Sequence, residues 1–141
     1  MLELKKLTDQ NNALTRPATE DDINALEVDL GFSLPPEYKS YLSTFGLISF
    51  GSEETYGLGV SNRSHLHLMN IYKDLSSDKN YPPYNIPILE LGDGNYYLYD
   101  TKKNAINLWA TPNGGIVNTI NQNLESFLAK QIFSIDILRA S

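Results

Sequence analysis

Residues 19–46 read TEDDINALEVDLGFSLPPEYKSYLSTFG, and the punctuation of this stretch decides the fold. Thr19 is a good N-cap, because its hydroxyl can accept an N–H that a helix start leaves unpaired. Asp22, three residues on, is a weak form of the capping-box partner. Glu20, Asp21 and Asp22 fall in the first turn, where the helix dipole favours negative charge. Ile23, Leu26 and Leu30 then recur at i, i+3 and i+7 as one apolar stripe, and Gly31 is a natural terminator. Pro36 suits the start of a second helix, on which Tyr38, Tyr41, Leu42 and Phe45 share a face. Gly46 is its expected C-cap. Helices this short are unstable alone and must pack on something else.

Working outward, Leu2, Leu4 and Leu7 begin a short helical segment that ends by Asn11, Asn12 and Pro17. After Gly46 the texture changes. Gly51, Gly57 and Gly59 punctuate short apolar runs, which reads as strands or irregular loops. Residues 64–75 carry Leu68, Ile71, Tyr72 and Leu75 at helical spacing, although HLHLM also fits a strand. Residues 76–85 form a polar loop with two prolines. The clearest β signal follows. Pro87–Leu91 is a strand, Gly92-Asp93-Gly94-Asn95 a hairpin turn, and Tyr96–Asp100 the returning strand, since Asp-Gly tolerates the positive φ of tight hairpins. Lys102-Lys103-Asn104 turns into Ala105–Ala110, which ends before Pro112. Gly114-Gly115 turns into Ile116–Ile120. This is an antiparallel meander. A closing helix spans about 121–133, with Leu124, Phe127, Leu128 and Ile132 on its apolar face. The expected class is α+β: N-terminal helices, an antiparallel β-meander sheet and a C-terminal helix packed on that sheet, in one domain over 1–141.

The 141 residues are 41% hydrophobic and 20% charged, an ordinary globular composition for about one domain. There is no cysteine, which removes disulfides, thiolate metal sites and cysteine nucleophiles together. No apolar run reaches the roughly 18–20 residues that cross a bilayer. The start, MLELKKLTDQNN, lacks the apolar core of a signal peptide, so the expected location is the cytoplasm. The net charge is −6, and residues 20–54 hold eight carboxylates (Glu20, Asp21, Asp22, Glu27, Asp29, Glu37, Glu53, Glu54) against Lys39 alone. The rest of the chain is close to neutral. One-sided acidity argues against a nucleic-acid partner, whose phosphates it would repel, and is compatible with a basic protein.

Three blocks taken together resemble the SUKH superfamily, which includes a yeast regulator of cell-wall synthesis and bacterial immunity proteins of polymorphic toxin systems. In the first, ATEDDINALEVDLGFSLPPEYKSYLSTFG, the matching positions are Glu27, Leu30, Gly31, Leu34, Pro35, Tyr38, Lys39, Leu42 and Gly46. The second, NIPILELGDGNYYLYDTKKNAINLW, is similar to the family's hairpin, and NLESFLAKQI to its closing helix. Segment 51–85 has no counterpart in the resemblance. The resemblance implies a domain that binds a protein and does no chemistry: an immunity protein covering a cognate toxin, often a basic nuclease or deaminase. A regulatory scaffold acting on a host protein is the alternative within the same fold. No cofactor or metal is implied, and the oligomeric state is left open.

The candidate partner-binding residues are Glu27, Asp29, Glu37, Glu53, Glu54, Tyr97 and Tyr99. The carboxylates are either a surface for a basic partner or a solvated face, whereas capping already accounts for Glu20, Asp21 and Asp22. Strand alternation puts Tyr97 and Tyr99 on one face and Tyr96 and Leu98 on the other. One face is core; the other can meet a partner, where tyrosine packs its ring and bonds through its hydroxyl. Trp109, the only tryptophan, reads as core or half-buried. His65 and His67 share a face on a strand but diverge on a helix, and no third ligand accompanies them. A third reading, a small hydrolase using Glu90, Asp93 and Asp100, needs a cleft beside Glu90 and Asp100; Asp93 is explained by the turn.

Overall fold

The computed structural model describes residues 1–111 and 114–137. Pro112, expected to close the third meander strand, lies outside them. The chain runs α1 (Leu2–Gln10), β1 (Leu14–Thr15), α2 (Glu20–Leu30), α3 (Pro36–Thr44), β2 (Ile48–Phe50), β3 (Glu53–Glu54), α4 (Leu68–Ser76), β4 (Asn85–Gly92), β5 (Asn95–Asp100), β6 (Ala105–Ala110), β7 (Gly115–Ile120) and α5 (Leu124–Phe133). The strands form a three-stranded sheet β1-β2-β3 and a four-stranded sheet β4-β5-β6-β7, both antiparallel. The class is α+β and the meander is as expected. The small sheet is additional: two of its strands are only two residues long.

The helix starts follow their caps. The Thr19 hydroxyl accepts the Asp22 N–H at 3.2 Å, and Gly31 closes α2 at φ 80° with its N–H on the Glu27 carbonyl. In α3, Pro36 occupies the first turn; the C-cap is Phe45, one residue earlier than the sequence places it, and Gly46 follows at φ 70°. The closing helix begins at Leu124, because the Asn123 side chain caps it by accepting the Ser126 N–H at 2.7 Å. The helix expected over 64–75 starts only at Leu68. Residues 64–67 turn instead, with the His67 N–H on the Ser64 carbonyl, and His67 pairs with Gly57 as an isolated parallel bridge. Helix and strand readings of HLHLM are each partly right.

Both faces of the large sheet are covered over its inner strands β5 and β6. On one, Tyr97 meets Phe127 of α5 edge-on at 4.8 Å, and Tyr99 stacks on Tyr38 of α3 at 5.6 Å between ring centroids. On the other, Leu98 and Trp109 are fully buried with Leu75 of α4, and Tyr81 sits edge-on to Trp109. Tyr97 and Tyr99 do share a face, as alternation requires. α2 and α3 join the same main core through Ile23, Leu26, Leu30, Tyr38, Tyr41 and Leu42.

Candidate functional site

The seven candidate residues divide by what their polar atoms already hold. Glu27, late in α2, accepts the Leu34 N–H on Oε2 at 2.7 Å, and its Oε1 lies 3.4 Å from Lys39 Nζ. It therefore clamps the loop that joins α2 to α3. Glu37, in the first turn of α3, accepts the Leu124 N–H at the start of α5 and the Tyr99 hydroxyl, the latter at 3.3 Å. Its carboxylate thus binds α3, α5 and β5 together. Tyr99 has no exposed surface; its hydroxyl lies 3.1 Å from Asn104 Oδ1 as well. Burial first, then the Glu37 carboxylate, pushes the Tyr99 hydroxyl far above the ordinary tyrosine range. Tyr97 is half-buried against Phe127. Tyr99 thus offers a partner nothing in this conformation, while Glu27 and Glu37 offer carboxylates that already serve the fold.

Asp29, Glu53 and Glu54 remain. Asp29 is exposed and lines a concavity of about 370 Å³ between α2 and the 58–69 segment, with Asp22, Leu58 and His67. Glu53 is half-buried and Glu54 exposed. Glu54 lines a second concavity, of about 260 Å³, with Ser52, Tyr56, His65, Leu66 and Glu90. The two sheets create it. The Tyr56 N–H just beyond β3 donates to the Ile88 carbonyl on β4 at 2.8 Å, which brings Glu54 beside Glu90. Burial is the main cause lifting the Tyr56 hydroxyl above its usual range, and Tyr96, Glu90, Glu54 and Asp74 add to it in that order. Glu90 was therefore missed as a member of an acidic surface. The signal for Glu90 was its charge, but only the contact between the sheets pairs it with Glu54.

The hydrolase pair does not converge. Glu90 is opposite Tyr96 and Asp100 opposite Asn85 in the β4–β5 ladder, which separates the two carboxylates by about 15 Å along the strands. Glycoside cleavage needs them roughly 5–9.5 Å apart. Asp100 is moreover occupied, its Oδ1 accepting the N–H groups of Lys102 and Lys103 at 2.9 and 3.0 Å. His65 and His67 line different concavities. Among the described residues no three His, Cys, Asp or Glu side chains are placed to hold a metal ion, and no helix is long and apolar enough to cross a membrane.

His67 carries a pH-dependent contact. Its Nδ1 accepts the Met69 N–H at 3.2 Å and so caps α4. Burial lowers its pKa below 6.5; Asp29 and Asp22 raise it and Lys73 lowers it, with a net downward shift. The unfolded chain then binds more protons than the folded one just below pH 6.5, so stability falls as pH drops through that window. We expect the melting temperature to decrease from pH 7 to 6, with a stability loss of at most the roughly 1 kcal/mol a side-chain cap contributes. In His67→Asn, which caps without titrating, that slope should disappear; thermal melts at the two pH values check it.

The sequence pattern of the SMI1-KNR4 cell-wall family, SUKH_5, matches residues 2–134. No curated protein matches the chain. In structure, the fold is similar to the crystal structure of a protein from Pseudomonas syringae pv. tomato, with a TM-score of 0.78 at 19% identity, covering 96% of this chain and 100% of that one. At that identity the likeness speaks for the fold alone.

Proposed function

The chain belongs to the SMI1-KNR4 family of the SUKH superfamily, and from that premise we propose that it is an immunity protein, which binds a cognate toxin one to one and blocks it without making or breaking a bond. The partner is a basic, nucleic-acid-targeting toxin domain, and the encounter takes place in the cytoplasm. The observation that carries the charge part of this reading is the convergence of Glu54 and Glu90 on one concavity beside Tyr56, with Glu53 on the same short strand. An acidic surface attracts a basic partner at long range, raises the association rate and disfavours partners of the wrong sign. Asp29 and the half-buried Tyr97 extend the contact candidates.

Growth of cells expressing a toxic protein recovered from the native host by pull-down with this chain tests the class: co-expression of this chain should restore growth. Purified components test the surface. Glu54→Lys with Glu90→Lys should lower the association rate at low salt by about tenfold or more and flatten its salt dependence, because exposed charges act through the association step. Stopped-flow fluorescence reads both. Unchanged association with growth rescue intact would remove the acidic surface and keep the immunity role. Rescue of no toxin, with a host protein captured instead, would replace that role with the scaffold reading.

A further inference from the structure

β7 is unlike the other strands of the large sheet. Ile116, Val117, Asn118 and Thr119 are all exposed, so neither face of the strand is covered along its middle. Ile116 and Val117 are 48% and 56% exposed. One edge of β7 pairs with β6, and among the described residues no strand pairs with the other. The far edge of the same sheet is partly covered: the Ile88 carbonyl of β4 accepts the Tyr56 N–H from the small-sheet side. Chains usually guard an open edge with lysine, proline, a covering helix or a bulge. Among the described residues β7 has only the bulge, where Trp109 pairs with Ile116 and Leu108 with Asn118, leaving Val117 as the extra residue. Residues 104–123 contain no Asp, Glu, Lys or Arg, in a chain that is 20% charged.

We propose that β7 is the interface of a homodimer, two copies pairing antiparallel through this strand about a two-fold axis to make one eight-stranded sheet. A two-fold contact uses the same patch twice, so it must be self-complementary. In a chain with a net charge of −6, a patch drawn from the acidic 20–54 stretch would set like charges against each other. β7 with β6 behind it is a strip that would not. Glu90 lies on β4, three strands away in the sheet order, and Glu53 and Glu54 lie beyond it; three strand spacings are about 14 Å. A basic partner finds no carboxylate along β7, so a second copy is the better occupant. Main-chain pairing runs on either side of the bulge, while Ile116 and Val117 lose their exposure against the same residues of the other copy. The acidic concavities are left outward at the two ends.

Light scattering across a concentration series up to about 100 μM, where a dimer of micromolar Kd is largely formed, reads the mass of the full chain. The wild type should approach twice the chain mass. Ile116→Lys and Val117→Lys, both at exposed positions, should weaken the dimer at least tenfold with unchanged circular dichroism. Glu54→Lys should leave it intact. A wild type that stays monomeric over the series overturns the proposal. So does a dimer that survives both lysines in β7, or one that only Glu54→Lys disrupts.

Discussion

Alanine at position 46 should cost at least about 4 kcal/mol, among the largest effects of any single substitution in this chain. A Cβ on Gly46 would lie 1.6 Å from the Arg16 carbonyl oxygen and 2.4 Å from its carbon, with the Leu58 carbonyl oxygen at 3.2 Å. These are main-chain atoms of two other segments, so no side chain can swing away to make room. Nor can the segments part freely. The Arg16 N–H donates to the Phe45 carbonyl at 2.6 Å and the Leu58 N–H to the Gly46 carbonyl at 3.0 Å. Gly57 belongs to the same crossing, since a Cβ there would meet the Gly46 oxygen at 1.6 Å. Overpacking a core with side chains on all sides costs about 1–3 kcal/mol; a backbone-on-backbone crossing has less give. Gly51 is the control. It also has positive φ, at 60°, but nothing lies within 4 Å of the place an alanine methyl would take, so Gly51→Ala should cost only the left-handed backbone, about 1–2 kcal/mol. Denaturant midpoints at constant m value compare the two. Equal midpoints would mean that the crossing is not tight.

That crossing also shows what the sequence could and could not reveal. α2 and α3 were legible because their signals are local: Thr19, Gly31, Pro36 and two apolar stripes lie within the helices they define. The meander was legible for the same reason, through Asp93-Gly94 and strand alternation. The small sheet was not, because β1 and β3 have two residues each and exist through pairing with β2, more than thirty residues along the chain from β1. Gly46 read as a helix cap, and Gly57 and Gly59 as loop punctuation; their role as a close main-chain crossing is visible only in three dimensions. At the candidate site, alternation placed Tyr97 and Tyr99 correctly on one face. It could not show that α5 and α3 cover that face while α4 covers the other. Composition located the acidic stretch but could not separate carboxylates that accept main-chain N–H groups from those facing solvent. Glu27 and Glu37 look no different in sequence from Asp29 and Glu54.

Glu37 makes that difference measurable. Glu37→Ala should destabilise the chain by about 3 kcal/mol, because each buried polar group left without its partner costs roughly 1–3 kcal/mol. The Leu124 N–H would lose its acceptor at the first turn of α5, where a carboxylate also interacts favourably with the helix dipole, and the buried Tyr99 hydroxyl would keep only Asn104. A loss of that size lowers the melting temperature by about 10 °C in a domain of this length. Glu37→Gln should recover more than half of it: the amide oxygen can still accept the Leu124 N–H, while its NH₂ donates to the Tyr99 oxygen and the hydroxyl turns to Asn104. Calorimetry on the three proteins ranks them. A carboxylate serving only to attract a basic partner would show the opposite pattern, with folding untouched in both variants and association slowed equally by each. Equal melting temperatures for wild type and Glu37→Ala would therefore remove Glu37 from the framework and return it to the candidate partner-binding carboxylates with Asp29, Glu53 and Glu54.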